Sequence, residues 1–199
     1  MRHRVRIVSF AIAALVALAA AGSAQERKDN ATAEREQAIQ EATRRIEAAP
    51  DDPDAWVDRA DLYRREERYE EMRKDAGRAL ALDSRHPRAI GLRGMGRAVA
   101  GENDLALADF DRALDLAPDL ALLWGLRGNL LLREGRCPEA IQSFDRAIAL
   151  EPIAAAYSDR AACRYEAGEI DLALDDYDEA LRLDPDLIAA RVERGHVRQ

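Results

Sequence analysis

Lysine is nearly missing from this chain. Of 30 basic residues only Lys28 and Lys74 are lysines, a bias that reads as genome composition rather than chemistry. Histidine is scarce as well: His3, His86 and His196 are the three, and none falls in a recognisable pairing with a Cys or Ser. There is no His-Glu-x-x-His, no Gly-x-Ser-x-Gly and no phosphate-binding loop. Gly91-x-x-Gly94-x-Gly96 resembles a nucleotide fingerprint only on the surface, because it lies inside a helical pattern and follows no strand. The acidic run from Asp171 to Asp178 lacks the glycine and terminal glutamate of a calcium loop and reads as a solvated helix face. These absences predict no catalysis, no metal, no cofactor and no small-molecule substrate. No dense basic run offsets a net charge of -8, so nucleic acid and anionic lipid are poor partners.

No apolar run reaches the roughly 20 residues that span a bilayer. The longest lies at the start. Arg2, Arg4 and Arg6 precede an uncharged stretch from Ile7 to Ala21, and Gly22-Ser23-Ala24 follows. That layout predicts a secretory signal peptide over 1–24 with cleavage after Ala24, and hence a periplasmic or secreted protein. The alternative is an uncleaved membrane anchor. No Cys lies near the cleavage point, and no adjacent arginine pair precedes the apolar run, so neither a lipoprotein nor the twin-arginine route is expected. Loss of the three arginines takes the net charge from -8 to -11. Membrane contact is therefore expected only through a partner.

What the chain has in abundance is Ala, Leu, Arg and Asp. Hydrophobic residues make up 48% and charged residues 34%, which suits a folded chain, and Ala, Leu and Arg favour helix. The pattern repeats. Pro53 and Pro87 lie 34 residues apart, as do Pro118 and Pro152, and Pro185 follows after 33. Residues 101–120 match 135–153 and 168–187, and 67–86 form a weaker copy. Each copy holds two apolar-periodic segments of about 13 residues, split by a glycine or polar turn. Helix pairs that short bury their apolar faces only by stacking on neighbours. Gly94, Gly128, Ala106 and Ala140 would let helices approach closely, with Phe110, Phe144 and Tyr177 filling the gaps between repeats.

These residues resemble the tetratricopeptide repeat family. Its pattern is filled by Trp56, Ala60, Tyr63, Met72, Ala76, Ala79 and Ser84 in the first copy, and by Ile90, Gly94, Arg97, Ala106, Phe110, Ala113 and Pro118 in the second. Trp124, Gly128, Leu131, Ala140, Phe144, Ala147 and Pro152 fill it in the third, and Tyr157, Ala161, Arg164, Ala173, Tyr177, Ala180 and Pro185 in the fourth. The resemblance implies an all-α, right-handed α-solenoid of stacked antiparallel helix pairs. Repeats are expected at 53–86, 87–120, 121–153 and 154–187, with a half repeat over 25–52 and a capping helix over 188–199.

One departure recurs. Where the family commonly has Leu, this chain has Arg59, Arg93, Arg127, Arg160 and Arg194, while Asp75, Asp109, Asp111, Asp145, Asp176 and Asp178 flank the aromatic position. This predicts a partly buried Arg–Asp ladder; an anion-binding row of arginines is the alternative. Cys137 and Cys163 fall at the start and end of what would be antiparallel neighbours, a candidate disulfide in an oxidising compartment, or else two small buried residues whose thiols never meet.

The resemblance also implies a ligand surface on the inner wall formed by the first helices. Gly91, Leu92, Met95, Val99, Leu122, Gly125, Leu126, Asn129 and Leu132 are the candidate partner-binding residues, unusually small and apolar for an exposed surface. Gly91 and Gly125 are expected to leave an open trough there. Asp54, Asp58 and Asp61 form one acidic shoulder and Asp159, Glu166 and Glu193 the other, so the expected partner is a protein segment with apolar anchors and basic flanks. A wall already filled by a tight superhelix, or by residues 25–52, is the alternative. The Lys, Asn and Arg clamp with which some members hold a chaperone's C-terminal carboxylate is replaced by Val57, Asp61, Leu92, Leu122 and Leu126, which excludes that partner class. The resulting expectation is an exported adaptor or scaffold. Its rivals are an accessory subunit of an envelope enzyme complex and a self-associating repeat array.

Overall fold

Proline and its neighbours set where helices begin. Pro53 and Pro87 open their helices, where a missing N–H costs nothing. Asp52 caps the first by accepting the Asp54 N–H at 3.0 Å. The second is capped by His86, whose Nδ1 accepts the Ala89 N–H. Its Nε2 therefore carries the proton and donates to Asp54 Oδ1 at 3.0 Å, so His86 has a structural task.

The computed structural model describes residues 30–198, all helix and turn, with no strand among them. The signal peptide and the cleavage point after Ala24 lie outside the described residues. The chain divides into two units, residues 1–50 and 51–199. In the first, residues 30–48 are helical (α1), and Ile39, Ala42 and Ile46 are buried at helical spacing.

The second unit alternates helices of 13 and 14 residues: α2 (Pro53–Arg65), α3 (Tyr69–Leu82), α4 (Pro87–Val99), α5 (Asn103–Leu116), α6 (Ala121–Arg133), α7 (Cys137–Leu150), α8 (Ala154–Glu166) and α9 (Ile170–Leu183). A shorter α10 (Ile188–Val197) follows. Each first helix ends in a paired cap. Gly101, Gly135 and Gly168 take φ of 80°, 70° and 77°, and the next residue's N–H reaches back five residues, as from Glu102 to Arg97 O and Arg136 to Leu131 O at 2.9 Å. In the first pair a glutamate, Glu67, holds the same place at φ 57°.

Pairs α2–α3, α4–α5, α6–α7 and α8–α9 stack in sequence, and the first helices form one layer in which α2 touches α4, α4 touches α6, α6 touches α8 and α8 touches α10. Phe110, Phe144 and Tyr177 are almost wholly buried. A Cβ on Gly94 would stand 3.0 Å from the Phe110 ring and one on Gly128 2.7 Å from the Phe144 ring, so these glycines exist for close approach.

The ladder is present, with a regular geometry. Arg59, Arg93 and Arg160 each fork onto the aspartate 16 residues ahead, Asp75, Asp109 and Asp176, through Nε and Nη2 at 2.6–2.9 Å. Arg97 and Arg164 add a second donor to Asp109 and Asp176. Arg127, Arg160 and Arg194 reach back to Asp111, Asp145 and Asp178 on the preceding pair. With their forks satisfied by carboxylates, Arg59, Arg93 and Arg160 are not available as an anion-binding row. The third pair differs: Ser143 stands where the others have aspartate, and Arg127 donates to its hydroxyl at 2.7 Å.

Candidate functional site

The first-helix layer carries a cavity of about 210 Å³ between α4 and α6. Gly91, Leu92, Met95, Leu122 and Leu126 line it, with Leu120 and Leu123, and Asp61, Arg64 and Arg88 stand at one rim. Five of the nine residues singled out from the sequence are thus brought together. The other four are not: Val99 is 55% exposed, Gly125 faces open space, Asn129 turns to Asp159, and Leu132 packs against the buried core.

The glycines divide. A Cβ on Gly125 would meet nothing within 4 Å, as expected of a trough. A Cβ on Gly91 would stand 2.5 Å from Leu123 Cδ2. The open trough expected at Gly91 is therefore not there: the Leu123 side chain occupies it. Leu123 explains why. The same place in other first helices holds Ala55, Ala89, Ala156 and Ala190, all buried. The third pair alone puts a leucine in this column, and the glycine opposite makes room for it. A single large residue in a column of alanines was the signal in the sequence; Leu120, which precedes α6 as its N-cap, carried none.

The two acidic shoulders also differ. At the α2 end, Arg88 donates to Asp58 Oδ1 at 3.1 Å and to Asp61 Oδ2 at 2.8 Å, Arg64 bonds Asp61, and His86 holds Asp54. Burial alone would raise the Asp61 carboxyl, but the hydrogen bonds from Arg88 and Arg64 outweigh it and hold it below the ordinary carboxylate value. Two arginines thus offset most of the charge of this shoulder. At the α8 end, Asp159 receives one hydrogen bond, from Asn129 Nδ2 at 3.3 Å, and pairs with no cation among the described residues. Burial pushes its carboxyl up, only partly opposed by Asn129.

Cys137 and Cys163 are placed as a disulfide pair, their Cα atoms 5.1 Å apart, a separation such a bond spans. It ties the start of α7 to the end of α8, and Glu166 Oε2 lies 3.2 Å from Cys137 Sγ. A second, more open cleft on the other side of α6 is lined by Asp111, Asp115, Trp124, Arg127, Asp145 and Arg146. There Arg127 pairs with Asp111, Arg160 reaches Asp145, and Arg146 lies over the Trp124 ring. Among the described residues no cluster could hold a metal ion, and no helix is long and apolar enough to cross a membrane.

Stacked antiparallel pairs with a small residue facing an aromatic define a helical repeat protein. Residues 53–86, 92–152 and 126–188 match models described as Tetratricopeptide repeat, and the chain belongs to that family. The DnaJ homolog subfamily C member 7 homolog of Schizosaccharomyces pombe is 28% identical over 165 residues, 74% of this chain but only 35% of that relative. The chain thus spans about a third of that relative's length. Among solved structures, a thermophilic TPR protein of Thermus thermophilus, TTC0263, superposes with TM-score 0.66 at 22% identity, covering 84% of this chain and 92% of that one. The first TPR of Spaghetti (RPAP3), bound to the HSP90 peptide SRMEEVD, does so with TM-score 0.56 at 25% identity, over 59% of this chain and 94% of that one.

Proposed function

We propose that this protein is an exported adaptor of a bacterial envelope, which binds a segment of another protein along its first-helix layer and catalyses nothing itself. The cavity between α4 and α6 carries the reading. It is lined by leucines and a methionine, and Leu122 at its edge is 43% exposed. Burying one large apolar side chain there would contribute roughly 1.5–3 kcal/mol. The structure of the RPAP3 repeat with its HSP90 peptide supports peptide binding as a mode open to this fold. The ligand class here would differ, because Leu92, Leu122 and Leu126 stand where the carboxylate clamp needs Lys, Asn or Arg. Export rests on the leader at 1–24 and fits the Cys137–Cys163 pair.

Affinity capture from envelope extract tests the reading. Wild-type protein should retain a recurrent partner and Leu122→Asp should lose it with helical circular dichroism unchanged. Capture that survives Leu122→Asp places the partner elsewhere. N-terminal sequencing of the exported protein should begin at Gln25; a chain retained in the membrane with Met1 in place would be an anchored protein instead.

A second reading, self-association, is favoured by α10. Ile188 is 71% and Val192 47% exposed, and a Cβ on Gly195 would meet nothing within 4 Å, whereas Gly94 and Gly128 each receive a phenyl ring. Sedimentation velocity separates the readings: a concentration-independent monomer excludes this one.

A further inference from the structure

Arg160 shows how a first helix of this protein takes its second helix. Its Nη1 reaches back to Asp145 on α7 at 2.6 Å, while Nε and Nη2 fork forward onto Asp176 of α9 at 2.9 and 2.6 Å. The next residue, Ala161, is buried in one cluster with Tyr177, the residue after Asp176. The α4–α5 pair repeats the fitting: Arg93 forks onto Asp109, and a Cβ on Gly94 would stand 3.0 Å from the ring of Phe110. On both first helices, an arginine fork for an aspartate and a small residue for the ring that follows it form one two-point receptor.

The same two places on α10 are Arg194 and Gly195, and both are unfilled. Arg194 reaches back to Asp178 on α9 through Nη1, as Arg160 does to Asp145, but its Nε and Nη2 make no hydrogen bond among the described residues. Its side chain is 28% exposed, against 12% for Arg160, so the idle side of the fork is open to solvent. A Cβ on Gly195 would meet nothing within 4 Å. Ile188 and Val192 are exposed and lie along the same face of α10 as Gly195. That face is not what holds α10 to the array, because Ala190 and Val197, on the opposite side, make the packing with α8 and α9.

We infer that the Arg194–Gly195 face of α10 binds a helix of another protein, one that carries an aspartate followed directly by a phenylalanine or tyrosine. The carboxylate accepts from Arg194 Nε and Nη2, the ring lies over Gly195, and Ile188 and Val192 extend the apolar surface beside it. The pattern such a helix presents is that of α5 and α9: Ala106, Asp109, Phe110 and Ala113 in one, Ala173, Asp176, Tyr177 and Ala180 in the other. The occupant is foreign because the described chain has no such helix to spare. Asp109 and Asp176 are each held by two arginines, and Phe110 and Tyr177 are both 1% exposed. Residues 30–48 contain neither an aspartate nor an aromatic. A second copy could supply the pair only by unpacking α5 or α9. This site is separate from the α4–α6 cavity, and a foreign helix takes the face that self-association would give to a second copy.

The α5 sequence itself is the probe: a fluorescent peptide of residues 102–117, stapled through the exposed positions of Ala108 and Arg112, since so short a helix is marginal alone. It should bind the full chain saturably in anisotropy titrations. Affinity should fall about tenfold or more when the peptide carries Phe110→Ala, or when Gly195→Leu in the protein fills the slot. Gly195 faces open space, so that variant should keep its helical circular dichroism. Arg194→Lys keeps a charge beside Asp178, which Arg198 also reaches at 3.3 Å, but removes the fork. It should weaken binding severalfold, and cost nothing further against a peptide carrying Asp109→Asn. Absence of saturable binding, or affinity unchanged by Gly195→Leu, overturns the site. Leu122→Asp, which tests the groove, should leave peptide binding unchanged; a loss there would put the peptide in the groove and overturn the α10 site while the groove reading stands. A dimer in sedimentation velocity that Gly195→Leu dissolves would make a second copy the occupant and overturn the foreign helix.

Discussion

Asp75, Asp109 and Asp176 are all but buried, with side-chain exposures of 3%, 5% and 5%. A carboxylate so enclosed is tolerable only while a cation holds it, and removing one partner of such a pair costs more than the pair contributes. Asp75 is the most vulnerable, because Arg59 supplies both of its hydrogen bonds, whereas Asp109 and Asp176 each have a second arginine. Arg59→Ala should therefore destabilise the protein by about 3–5 kcal/mol. Arg127→Ala should cost far less, since its partners are a half-exposed Asp111 and the Ser143 hydroxyl, which also bonds Glu139 O. Equal losses for the two variants in urea titrations would mean that burial of the acid is not what matters. A smaller effect is stored at Glu67, whose φ of 57° lies where its glycine counterparts sit without strain. Glu67→Gly should raise stability by up to about 1 kcal/mol, the left-handed penalty of an L residue less the entropy of glycine. A lowered urea midpoint would contradict that.

Where two elements meet, the question is which side chain fills the space between them. At the α4–α6 contact Gly91 faces Leu123; at the corresponding α2–α4 contact the pair is Val57 and Ala89, both buried in one cluster. The chain thus contains two solutions to one packing problem, and transplanting one onto the other is a test. Gly91→Val alone should overfill the contact and destabilise by about 1–3 kcal/mol. Leu123→Ala alone should leave a gap, at about 2–5 kcal/mol. The double variant reproduces the Val–Ala pair and should cost less than the sum by at least about 1 kcal/mol; strict additivity would show that the two side chains do not share the space. This contact also shows what was legible beforehand. The two-helix period, the glycine–aromatic packing and the Arg–Asp partners follow from periodicity, because each depends on residues at a fixed offset within one repeat or back to the repeat before. The role of Gly91 does not, because it depends on an exception in the next repeat. His86 escaped for a similar reason: capping α4 while bonding Asp54 on α2 is a relation between turns, which helical periodicity does not report. The imbalance between the acidic shoulders depends on Arg88, which reaches from α4 to Asp58 and Asp61 on α2, a relation between helices that the period of one helix does not report.

Across residues 51–199, each pair is held chiefly by its neighbours, so stability in a stacked array approximates a sum of pair and interface contributions. The ladder bonds from Arg127 to Asp111 and from Arg160 to Asp145 are such interface contributions, and the Cys137–Cys163 pair adds a covalent one between α7 and α8. It closes a loop with a sequence separation of 26. By chain entropy a loop of that length is worth about 3–4 kcal/mol. The consequence should be local rather than global. Reduction frees α8, and with it α9 and α10, from the α6–α7 pair, while α2 to α5 keep every contact they had. We therefore expect hydrogen exchange in protein purified from an oxidising compartment to accelerate on reduction in residues 154–197, with residues 53–116 changed little. The Cys137→Ala, Cys163→Ala double variant should match the reduced protein and be insensitive to reductant. Exchange that accelerates evenly from α2 to α10 would mean that the array unfolds as one cooperative block. No change at all would mean that α8 is held by its packing and ion pairs alone, and Arg160, which bonds Asp145 on α7 and Asp176 on α9, would then be the residue to remove next.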